Sequence, residues 1–125
     1  MKKKTLIHLI ELMIAKYEAA NDFGEITFNR SDCPLCNYIN SHCHYCILPD
    51  YNYRTFTHCI SMLTWPKTIK PKFEKKDWQL RLKFWETALI EIKQIKHPGF
   101  FKDLTRIRQK LARIDYELFN QNNKI

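Results

Sequence analysis

Three stretches of this chain repeat apolar residues at the spacing of a helix face. In the first, Leu6, Leu9, Ile10, Met13 and Tyr17 stand three and four positions apart, and Ile7 and Ile14 widen the stripe. A helix turns once in 3.6 residues, so this spacing gathers the side chains on one side. It predicts an amphipathic helix over 4–20, stopped by Asn21-Asp22-Phe23-Gly24 with Gly24 just past the end. Trp78, Leu82, Trp85, Leu89 and Ile92 form a second stripe, and Leu104, Ile107, Leu111, Ile114 and Leu118 a third, with His97-Pro98-Gly99 breaking the pattern between them. So short a connection makes neighbouring helices antiparallel. Residues 74–120 are therefore expected to form a helical hairpin whose apolar seams face each other or a partner, a second copy of the chain included.

The rest is less regular. Glu25-Ile26-Thr27-Phe28 alternates polar and apolar, as a short strand does. Ser31 or Asp32 is placed to cap a helical turn beginning near Pro34. Tyr51 to Trp65 reads as a helix with Phe56, Ile60 and Leu63 on one side, ended by Trp65-Pro66; Lys67 to Lys72 then makes an extended basic connection. The fold class that follows is mainly α, one domain over 1–125. A zinc-knuckle module sits between an N-terminal helix (1–66 together) and a C-terminal antiparallel hairpin (67–125).

The cysteines carry the sharpest chemistry. Their pattern is Cys33-x2-Cys36-x6-Cys43-x2-Cys46-x12-Cys59. Two residues of spacing let both thiolates of a pair reach one metal from a tight knuckle, and two pairs complete a tetrahedral sulfur site, which suits a structural zinc ion. Cys33, Cys36, Cys43 and Cys46 are thus the expected ligands. His42, His44 and His58 are alternative ligands, and Cys59 is read either as a buried core thiol or as a substitute ligand. A redox CxxC belongs at a helix start after a strand in a βαβ context, which the pattern lacks. The ferredoxin run Cys-x2-Cys-x2-Cys is also missing. A closed four-ligand site has no open position for substrate, so it contributes folding energy rather than catalysis.

Cys33-Pro34-Leu35-Cys36, a polar spacer, Cys43-His44-Tyr45-Cys46 and the trailing Cys59 resemble the pattern CxLC, five to seven residues, CxxCP and a further cysteine in a group of short phage and prophage proteins. The resemblance covers about 30 residues. The chain departs from it where Ile47-Leu48-Pro49 replaces an immediate proline, and in its long last spacer. It implies a zinc-knuckle module in a mobile-element accessory protein, a structural need for Cys59, and no particular activity.

Charge divides the chain. The formal net charge is +8, and residues 67–113 hold 14 Lys/Arg against 5 Asp/Glu, so the whole excess lies there. Lys67, Lys70, Lys72, Lys75, Lys76, Arg106, Arg108, Lys110 and Arg113 are the candidate partner-binding residues, facing something acidic. Arg81, Lys83, Lys93, Lys96 and Lys102 belong to the same basic segment. Tyr38, Tyr45, Tyr51, Tyr53 and Phe56 crowd the cysteine module, as core cover or as a contact surface. No phosphate loop, GxSxG or HExxH motif is present, and His58 beside Cys59 is no dyad, because adjacent helical residues point about 100° apart. An enzyme is not expected. Met1 to Lys4 followed by Leu6 to Ile14 resembles a signal peptide, but His8 and Glu11 interrupt the apolar run, so the expectation is a protein of the host-cell cytoplasm without a membrane segment. The functional expectation is an accessory protein that binds a host protein and modulates or inhibits a host defence or nucleic-acid-handling machine. Direct nucleic-acid binding is the alternative.

Overall fold

The structure, a computed structural model, describes residues 1–23, 33–40, 45–49, 62–64 and 75–123; the side chains of 20–23, 75–78 and 123 lie outside that description. Among the described residues there are five helices: α1 Lys3–Phe23, α2 Pro34–Tyr38, α3 Lys75–Gln94, α4 Pro98–Lys102 and α5 Leu104–Asn123. Among the described residues there is no strand. The strand expected at 25–28 and most of the helix expected at 51–65 fall outside them, as does Gly24. At the end of that expected helix, residues 62–64 form a turn instead.

The apolar stripe of α1 is buried as its spacing predicts: Leu6, Leu9, Ile10, Met13 and Tyr17 all face the core, with Ile7 and Ile14 packed at its edge. α3 is the middle helix, and its most extensive packing is against α1 rather than α5. α1 and α3 run antiparallel: the Lys3 ammonium near the start of α1 reaches the end of α3, while Arg81 near the start of α3 lies over the Tyr17 ring. α5 runs against α3 the other way, with Lys110 opposite Glu91 and Leu118, Gln121 and Asn122 beside Gln79, Leu80 and Lys83. Trp85, Ile92, Ile107, Leu111, Ile114 and Leu118 of the two C-terminal stripes are buried; Leu82, Leu89 and Leu104 are half-buried. Phe84 and Ala88, outside the stripe, are fully buried as well, because α3 has helices on two sides.

The break at His97-Pro98-Gly99 holds a helix of its own. His97 caps α4: its Nδ1 accepts from the Gly99 amide at 3.1 Å, and Pro98 occupies the first helical position. A Cβ at Gly99 would come 2.8 Å from His97 Cε1, so the cap needs the glycine. Leu35, Cys46, Ile47, Leu48 and Met62, from the middle of the chain, belong to the same buried cluster as the three long helices. No helix among the described residues is long and apolar enough to cross a membrane.

Candidate functional site

α2 carries the first cysteine pair. Cys33 is its N-cap, in extended conformation (φ −90°, ψ 118°), and Pro34 follows at the first helical position. The cap expected from Ser31 or Asp32 is corrected to Cys33, whose side chain makes no capping hydrogen bond. Cys36 lies within the only full turn. Past the C-cap Ile39, Asn40 takes φ 51°, the left-handed conformation that asparagine accepts more readily than most residues and that ends a helix. Cys33 and Cys36 are half-buried and Cys46 is buried, and none of the three is in a disulfide. Among the described residues no three His, Cys, Asp or Glu side chains form a metal-ligating group. Cys43, His42, His44, His58 and Cys59 lie outside the described residues, so the ligand set is incomplete there.

The module is tied to α5 at two points. Arg108 Nε donates to the Cys46 carbonyl at 2.8 Å. One face of α5 further on, Asp115 takes the turn 62–64: its Oδ2 accepts from the Leu63 amide at 2.7 Å, and its Oδ1 from the Thr64 amide at 2.9 Å and the Thr64 hydroxyl at 2.6 Å. Arg81 reaches the same turn from α3. Its Nη1 donates to Thr64 Oγ1 at 3.2 Å and lies 3.1 Å from Met62 Sδ, and the rings of Tyr17, Phe84 and Trp85 surround its guanidinium at 5.4–6.0 Å. Arg81 is 1% exposed, so it leaves the basic surface to which its segment was assigned. Neither Arg81 nor Asp115 was singled out for this role from the sequence. The signal was there: 81 stands three after Trp78 and four before Trp85, and 115 four after Leu111 and three before Leu118, so both fall on apolar faces.

Of the expected partner-binding residues, the four whose side chains are described each have a partner within the chain. Arg108 is half-buried and holds Cys46. Lys110 pairs with Glu91 at 2.7 Å, Arg113 with Glu117 at 3.2 Å, and Arg106 lies 3.7 Å from Asp103. Lys75 and Lys76 open α3, with side chains outside the description, as are Lys67, Lys70 and Lys72 entirely. Among the described residues the exposed tyrosines are Tyr38 (51%) and Tyr45 (66%) beside the cysteines and Tyr116 (59%) on α5. No family model matches this sequence, and no curated protein or solved structure is detectably similar to it.

Proposed function

We propose that this chain is a non-catalytic accessory protein of the phage type, stabilised by zinc on Cys33, Cys36, Cys43 and Cys46, that binds an acidic host protein and modulates or inhibits a host machine. The observation that carries the choice of a protein partner is the pair of exposed tyrosines, Tyr38 and Tyr45, within the cysteine module between Cys36 and Cys46. Tyrosine offers a large, rigid contact area with a polar tip and is enriched at protein interfaces and their energetic centres. The arginines and lysine of α5 point the same way. Each has a partner within the chain, so phosphate contacts there would replace existing bonds rather than add new ones. For zinc, the support is chemical: Cys33 and Cys36 stand at the start of one helix with knuckle spacing, and neither is in a disulfide. The resemblance to phage and prophage proteins supplies the host as the source of the partner.

The test is a pull-down from host lysate with tagged chain, with and without nuclease, beside a Tyr38→Ala/Tyr45→Ala variant. One host protein retained through nuclease and lost by the variant is the expected result. Loss of every partner on nuclease treatment overturns the protein reading, and metal analysis of the purified chain that finds no zinc overturns the metal.

A further inference from the structure

Lys3 crosses from the start of α1 to the end of α3. Its ammonium donates to the carbonyls of Lys93 at 3.0 Å and Ile95 at 2.8 Å, and lies 5.7 Å from the centre of the Phe101 ring. Cations at a helix C-terminus satisfy carbonyls that have no partner further along the helix. Every group this ammonium touches is, or adjoins, an exposed lysine. Lys2 and Lys4 flank Lys3 itself, Lys93 supplies a carbonyl, Lys96 follows Ile95 and Lys102 follows Phe101. The fold thus brings to one end of the bundle lysines that the sequence scatters from position 2 to position 102. Among the described residues none of these five is paired with a carboxylate. The acidic groups close by in sequence are engaged or lie to one side: Asp103 with Arg106, Glu91 with Lys110, and Glu11 at the far edge of the groove lined by Lys4, Ile7 and His8.

We propose that Lys2, Lys4, Lys93, Lys96 and Lys102 form a contact surface for the phosphate backbone of nucleic acid, bound without regard to sequence. The composition decides between this partner and an acidic protein. Among the described residues the patch presents flexible point charges with no exposed Phe, Tyr or Trp adjoining them, since Phe101 is buried and Phe100 half-buried. Lysine is depleted at protein interfaces, where aromatics and arginine anchor the contact. A duplex, by contrast, offers about one negative charge per 1.7 Å of axis and rewards any arrangement that displaces its counterions. Clustered ammonium groups without carboxylates also repel each other, and a polyanion relieves that repulsion. These lysines are different residues from the tyrosines that carry the protein reading, so the two contacts are tested by different variants.

The test uses the full chain and a fluorescein-labelled DNA duplex of about 20 base pairs, followed by anisotropy between about 50 and 200 mM salt. Five neutralised phosphates give a slope of about −4.5 in log affinity against log salt, a loss of roughly 500-fold over that range. A Lys4→Gln/Lys96→Gln/Lys102→Gln variant should flatten the slope to about −1.8 with an unchanged melting curve, and Lys102→Gln alone should flatten it by about 0.9. Arg106→Gln/Arg113→Gln should leave it as it is. Absence of binding at about 50 mM salt overturns the proposal, as does a slope that the lysine variants do not change. Competition by polyglutamate equal to that of unlabelled duplex at the same charge also overturns it, and assigns the patch to an acidic protein.

Discussion

Three hydrogen bonds converge on Asp115, from the amides of Leu63 and Thr64 and the Thr64 hydroxyl. The hydroxyl in turn accepts from Arg81, so one turn of chain links an anion on α5 to a cation on α3. Both side chains are withdrawn from water, so each hydrogen bond that Thr64 and the turn supply there lowers the cost of burial. Asp115→Ala removes the acceptor for all three donors; at about 1–3 kcal/mol for each buried donor left unpaired it should lower stability by several kcal/mol, read as a drop in thermal midpoint. Asp115→Asn keeps the shape and one acceptor oxygen, and should cost about 1–3 kcal/mol. A variant of either kind that melts like the parent would show that the turn is held by packing alone. The helical phase of positions 81 and 115 was legible in the sequence. What occupies the space between them was not, because Thr64 lies in a turn with no periodicity and pairs with residues 17 and 51 positions away.

The long helices were the most legible elements, since each carries a stripe that packing then uses. α1 begins one residue before its expected start and ends three after, which is ordinary fraying around a signal that marks a face rather than a boundary. α4 was hidden because five residues cannot show a period of 3.6, and its pro-glycine start reads simply as a break. Its stability rests on the His97 cap, and Gly99→Ala drives the new methyl into the imidazole. The loss should be about 1 kcal/mol, the usual value of a cap, and His97→Ala in the same background should then add little. Additive losses from the two changes would mean that Gly99 serves something other than the cap. Leu111, fully buried between α3 and α5, makes the stronger demand: Leu111→Asp places an unpaired charge in an apolar seam and should cost several kcal/mol by denaturant titration. Wild-type stability in that variant would expose the seam as a surface.

In the whole molecule the cysteine module and the helices share one core. Leu35, Ile47, Leu48 and Met62 are buried in the same cluster as Leu6, Trp85 and Leu111, and α5 holds the module's backbone at Cys46 and at 63–64. The halves that the composition divides, a near-neutral front and a basic rear, are thus not independent in packing: charge is a property of surfaces, and the apolar positions that join the halves carry none. This bears on what zinc removal would do. A metal that binds only the folded state adds its binding free energy to folding. If the module were a separate unit, chelation would melt it alone and leave the long helices to unfold at their own temperature. Because its apolar residues fill the common core, their release opens cavities beside α1 and α3, and each deleted contact weakens the helices too. On the zinc proposal, chelator treatment, or Cys36→Ser, should therefore shift one cooperative transition to lower temperature, followed together by far-ultraviolet circular dichroism and by tryptophan fluorescence, to which the buried Trp85 contributes beside Trp65 and Trp78. Cys36 is only half-buried, so on the zinc proposal such a shift is attributed to loss of the metal rather than to lost packing. Two separated transitions would place the module outside the cooperative unit, and a Cys36→Ser protein melting like the parent would remove zinc from the account of its stability.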